Sequence, residues 1–198
     1  MADLWSDNST ATWQEALEAY SDVVEAQGVK GLADHDRWYR DVLPPAIAAR
    51  ARPHVTLDEL VRVTEWKMTR GVWRARNLAL VRGNDASLVE ATSAAALAAV
   101  PDPRKPIAML AELAGVGPAT ASAVAAAAAP EAYPFFDEVV AAQVPGLGEV
   151  AFTLAYYLRY AEALRERART LAHGWTPVMV ERALWSFAGG KAGARSTG

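Results

Sequence analysis

Three groups of residues have types and spacings that could do chemistry. The first is Leu110-Ala-Glu-Leu-Ala-Gly-Val-Gly-Pro-Ala-Thr-Ala-Ser122. Gly115 and Gly117 admit backbone angles that other side chains forbid. Amides of Gly115, Val116 and Gly117, with the start of a following helix at Thr120, could then face a phosphate at close range. The second is Asp137 in Pro134-Phe-Phe-Asp137-Glu-Val139, twenty residues after Gly117. A carboxylate that follows an apolar run is partly desolvated, which strengthens its field on a developing positive charge. The third is Glu65-Trp-Lys-Met-Thr-Arg-Gly-Val-Trp-Arg-Ala-Arg76, with two tryptophans, one lysine and three arginines in twelve residues. Lys67, Arg70, Arg74 and Arg76 suit phosphates, and Trp66 and Trp73 could stack on a base or wedge into a duplex.

Each group also has a plainer reading. Gly-x-Gly occurs in ordinary helix connections, Asp137 can serve as a helix N-cap, and Trp66 and Trp73, seven residues apart, can share one buried helix face. Lys67 is one of four lysines beside sixteen arginines. Its compact ammonium, or an amine nucleophile, is a second use for that position. The clusters Arg37-Trp-Tyr-Arg40 and Arg165, Arg167 and Arg169 read as solvated faces.

The elements that must position these groups read as helices throughout. Thr12-Trp-Gln-Glu15 and Thr56-Leu-Asp-Glu59 have the form of capping boxes. The first predicts a helix to Gln27, ended by Gly28; the second predicts one to about Met68. Pro44-Pro45 should break or kink the helix that follows Asp34. Past Gly71 a basic helix is expected over 72–81, then helices over 85–99, 104–113 and 119–129. A short helix begins at Asp137, a long amphipathic one spans 149–171, and Thr176-Pro177 opens the last. No stretch alternates with period two. The expected domain covers 1–188, with the hairpin at about 107–129 and a flexible tail over 189–198.

Composition narrows the classes. The 198 residues are 52% hydrophobic and 22% charged, with no cysteine. Disorder, a disulfide framework, a thiol nucleophile and cysteine-ligated metal are excluded. The three histidines lack metal-ligand spacing, so no metal is expected. Without a signal-like or membrane-length apolar segment, a cytoplasmic monomer with no membrane partner is expected. Net charge is −3, yet residues 50–82 carry eight basic and three acidic side chains. A basic stripe of this kind fits double-stranded DNA as partner.

The hairpin Leu113-x-Gly115-Val-Gly117-Pro-x-Thr-Ala-Ser122 resembles that of the helix-hairpin-helix DNA glycosylase superfamily. The proline-apolar-apolar-aspartate run at Pro134–Asp137 is most similar to that of the adenine mismatch glycosylases. Trp-Lys-x-Thr-Arg-Gly, with the hairpin, resembles a branch of the superfamily whose reaction is uncharacterised. The resemblance spans roughly residues 56–187. It implies an all-α glycosylase-like fold, a base flipped out of the duplex, and Asp137 either stabilising positive charge on the sugar as the base leaves or activating water. It also implies a candidate proton donor in Glu65, and leaves open a monovalent cation on the hairpin carbonyls as the sole cofactor. Three departures limit it. Ala119 stands where bifunctional members carry a lysine, the four-cysteine cluster is absent, and the interval between basic segment and hairpin is short by about a helix or two. The expected reaction is therefore monofunctional excision of a damaged or modified base. The alternatives are a non-catalytic helix-hairpin-helix module that binds nucleic acid or a protein partner, and an enzyme of this fold acting on a small substrate.

Overall fold

The computed structural model describes residues 3–171 and 173–191. Among these residues the regular elements are helices: α1 (Thr10–Glu18), α2 (Tyr20–Ala26), α3 (Leu32–Arg37), α4 (Leu43–Ala48), α5 (Leu57–Arg70), α6 (Ala75–Arg82), α7 (Ala86–Ala98), α8 (Lys105–Leu110), α9 (Pro118–Ala128), α10 (Glu138–Ala141), α11 (Leu154–Leu171) and α12 (Pro177–Phe187). No described helix is long and apolar enough to cross a membrane.

The helix starts follow local chemistry. Thr56 and Glu59 form the reciprocal capping box at α5. Asp85 caps α7, and Thr176 caps α12 with Pro177 in its first turn. At α1 the cap is Ser9, whose hydroxyl accepts the Thr12 amide, so the helix starts three residues before the Thr12 box would place it. The predicted run to Gln27 is divided at Ala19, and Gly28 at φ +63° ends its second half. Pro44 and Pro45 occupy the first turn of α4, and the helical ladder changes just ahead of them: a π-helical turn, Trp38–Val42, joins α3 to α4. Beyond Gly71 the chain stays non-helical until Ala75, and α11 starts at Leu154 rather than at 149.

The helices pack as two groups. The middle of the chain forms one, with α4, α5 and α8 around α9. Every residue from Ala119 to Ala127 on α9 is buried. Small side chains let the neighbouring helices approach closely, and dense packing is what dispersion rewards. The two ends of the chain form the other group: α12 packs on α1, α2, α10 and α11. Thr10 Oγ1 donates to the Leu171 carbonyl at 2.8 Å, and Arg167 binds Asn8 and the Trp5 carbonyl. Arg167 therefore ties down the N-terminal segment rather than lying on a solvated face. Of the expected flexible tail, Gly189 and Gly190 pack on Gln27 and Trp185, and 192–198 lie outside the described residues.

Candidate functional site

A half-open cleft of about 380 Å³ lies where the two groups of helices meet. Its walls come from three segments far apart in the chain. The end of α5 and the loop after it contribute Lys67, Gly71 and Arg74. The α8–α9 hairpin contributes Gly115, Gly117 and Thr120. Phe135, Phe136, Asp137 and Glu138 form the third wall, with Phe152 beside them.

The hairpin glycines serve different ends. Gly115 has φ +75°, and a Cβ there would stand 2.5 Å from the Asn77 carbonyl of α6. Gly115 is thus required both by its backbone angle and by close packing. Gly117 is extended, and a Cβ there would meet nothing within 4 Å. Asn84 clamps the turn, donating to the Ala114 carbonyl and accepting the Ala114 amide, each at 2.9 Å. Val116 turns its side chain into the core, and its amide donates to Leu113. The amides of Gly117, Ala119 and Thr120 have no acceptor among the described residues, as the first turn of a helix requires.

Asp137 caps α10. Its Oδ1 accepts the amides of Val139 at 2.8 Å and Val140 at 3.4 Å. Its Oδ2 accepts from Arg70 Nε at 3.2 Å. The carboxylate is nearly buried, yet it lines the cleft. Arg70 is enclosed, donating also to Tyr20 Oη at 2.9 Å and to Glu181. Tyr20 in turn donates to Asp36, which also takes the Trp66 indole N–H and pairs with Arg40. The network joins α2, α3, α5, α10 and α12 across the boundary between the two packing groups. Burial pushes the Glu181 carboxyl up to about 7, against the pull of Arg70. Burial opposes the Arg70 charge, but Glu181, Tyr20, Asp137 and Asp36 outweigh it and raise its pKa.

Two expectations from the basic segment are corrected by burial. Arg70 is 3% exposed and committed to Asp137 and Glu181, so its guanidinium is inside the protein and not on a surface that phosphate reaches. Trp66 is 1% exposed and stacks on Tyr39 with ring centroids 3.7 Å apart, which makes it core and not a wedge. Glu65 pairs with Arg82 at 2.7 Å and is not among the residues that line the cleft. Trp73, Arg74 and Arg76 are exposed, and both arginines lack an ion pair among the described residues. Lys67 is half-buried beside the cleft; burial, and then the Arg74 charge, push its amine down to about 8.

Sequence reasoning missed Tyr20, Asp36 and Glu181, and also Asn84 and Phe152. Glu181 carried a signal: it sits three residues from Val178 and Leu184 and four from Trp185. That spacing places an acid on the apolar face of its helix. Phe152, expected inside the 149–171 helix, lies in the loop before α11, 47% exposed, and the fold sets it beside Phe136 at 5.2 Å between ring centroids. No family model, no curated protein and no solved structure matches the chain.

Proposed function

We propose that the chain binds double-stranded DNA and excises a damaged or modified base by monofunctional N-glycosidic hydrolysis. The observation that carries this reading is the convergence, in one cleft, of unpaired hairpin amides, Lys67 and Arg74, and the Asp137 carboxylate. Amides and cations hold phosphate oxygens, and the aromatic wall of Phe135, Phe136 and Phe152 suits a base out of the stack. When the bond from C1′ to the base nitrogen breaks, its electron pair leaves with the base and positive charge spreads over C1′ and the ring oxygen. Asp137 faces that charge with a carboxylate fixed by three donors, so little reorganisation is needed. Water then adds to C1′, its released proton goes to the departed base, and an abasic site remains. With both oxygens engaged, Asp137 serves as an electrostatic stabiliser and not as the base that deprotonates water.

The test is a panel of lesion-containing duplexes, with alkaline cleavage at abasic sites, followed by single-turnover kinetics of Asp137→Asn. Asn preserves the Oδ1 acceptor and removes the charge; loss of its pairing with Arg70 should cost about 1–3 kcal/mol of stability. Excision should slow by about a hundredfold or more, while DNA affinity holds or rises. Equal rates would remove Asp137 from the mechanism.

One observation favours a second reading. The same three donors make Asp137 a complete structural element, a cap fastened to Arg70, which needs no reaction to explain it. A non-catalytic module would bind duplex with a steep salt dependence and excise nothing from any member of the panel.

A further inference from the structure

A second cavity, of about 250 Å³, is bounded by the start of α12, the segment leading into α4 and the end of α9. Lys67, the hairpin and Asp137 take no part in its walls. Phe135 borders both spaces, and Arg70, which lines the cavity, bonds to Asp137, which lines the cleft. The excision chemistry makes no use of the cavity.

Its lining has an aromatic part and a charged part. Tyr20, Tyr39, Trp66 and Phe135 supply the first, and Arg40, Arg70, Arg182 and Glu181 the second. The guanidinium carbons of Arg40, Arg70 and Arg182 stand 5.1, 5.7 and 5.8 Å from the centre of the Tyr20 ring. Two of these cations are matched. Arg40 pairs with Asp36 at 2.7 Å, and Arg70 holds Asp137 and Glu181. Arg182, partly buried, feels the charge of Glu181 but makes no ion pair or hydrogen bond among the described residues. Thr176 also lines the cavity; its Oγ1 accepts the Met179 amide at 3.2 Å, which leaves its O–H to donate. A gap lined by apolar groups alone is a packing defect that stays dry. Aromatic rings beside an unmatched guanidinium suit a ligand with a flat apolar body and an anionic group.

We propose that this cavity is a binding site for a small aromatic carboxylate, with its carboxylate on Arg182 and its ring among Tyr20, Tyr39 and Phe135. The volume suits a single ring with a short substituent and is too small for a nucleotide. One unmatched cation beside Glu181 calls for a single negative charge, which a carboxylate has and a phosphate dianion exceeds. The planar guanidinium fork also matches the two carboxylate oxygens. The inference is independent of the DNA reading of the cleft.

The probe is 4-azidobenzoate, a photoreactive aromatic carboxylate. The full chain is irradiated with it, and labelled peptides are mapped by mass spectrometry. The expected result is saturable labelling within 39–44, 126–130 or 176–182, suppressed by excess benzoate and not by benzamide, which has the shape without the charge. Benzoate binding, followed by ligand-observed NMR, should weaken at least about tenfold in Arg182→Met and recover in part in Arg182→Lys. Arg159→Met, at an exposed position on α11, should leave it unchanged. Mapping on the wild-type chain keeps the test valid even if an Arg182 variant folds poorly. Labelling centred instead on 67–74 or 115–120, equal suppression by benzamide, or no saturable labelling overturns the site.

Discussion

Trp66 and Arg70, and then Trp73 and Arg74, place the same two residue types twice within nine positions, and the fold uses the two pairs in opposite ways. Trp66 and Arg70 lie on the inner face of α5, one stacked on Tyr39 and the other bonded to Asp137, Glu181 and Tyr20. Trp73 and Arg74 lie past Gly71 on an exposed loop, where neither meets the core. A cation is held inside only if carboxylates are there to meet it, because an unpaired buried charge costs several kcal/mol. The carboxylates for Arg70 come from 67 and 111 residues further along the chain. Segment charge by itself therefore says little about which cation faces solvent. The eight basic residues of the 50–82 segment overstate its surface charge, since Arg50 pairs with Glu59, Arg82 with Glu65, and Arg70 is enclosed.

The sharpest break of this comparison is to remove each arginine in turn. Arg70→Met should lose about 3–5 kcal/mol in urea unfolding, because Asp137 and Glu181 are left buried without their cation. Arg74→Met should change stability by less than about 0.5 kcal/mol and should lower the slope of log affinity for duplex against log salt by about one. Equal stability losses from the two substitutions would mean that Arg70 is not the residue joining the two packing groups.

The tryptophans make the same division with less at stake for charge. Trp66→Ala removes a fully packed ring and its N–H bond to Asp36, and should cost about 3–5 kcal/mol. Trp73→Ala should stay within about 0.5 kcal/mol, with any loss confined to duplex binding. Thermal denaturation of the two variants side by side checks this, and a large loss in Trp73→Ala would show that the loop is packed against something the exposed ring conceals.

The smallest effect is a pH dependence that belongs to the inner pair alone. Burial raises the Glu181 carboxyl to about 7 in the folded chain, above its ordinary 4.5. The folded state thus binds more protons between those values, so its stability is greatest below about 4.5 and falls as pH rises to about 7. This one group can contribute a decline on the order of 3 kcal/mol at most. Urea midpoints between pH 5 and 8 should slope downward in the wild type and flatten in Glu181→Gln. An unchanged slope in that variant would assign the effect to another group.

Much of the molecule was legible in the chain itself. Caps at Thr56, Asp137 and Thr176 were visible because capping is a local bargain between one side chain and amides two or three residues away. The Gly-x-Gly turn and the alanine run after it were visible for the same reason. Thr12 misled because Ser9, three residues earlier, offers an equivalent hydroxyl, and packing of Trp13 chooses between them. The loop at 72–74 misled because its residues are acceptable in a helix, and nothing local says that α6 must turn toward the hairpin.

The sequence by itself determined an all-helical chain, its main breaks, and an aspartate capping a short helix after an apolar connector. Those are consequences of periodicity and of bonds that span a few residues. Only the tertiary structure decided that Arg70 faces inward to Asp137 and Glu181, that Glu65 turns away to Arg82, and that Lys67 is left alone in the cleft. The physical reason is that the fate of a charge depends on which opposite charges and how much water surround it. Both are set by segments that meet in space after the two ends of the chain have closed around its middle.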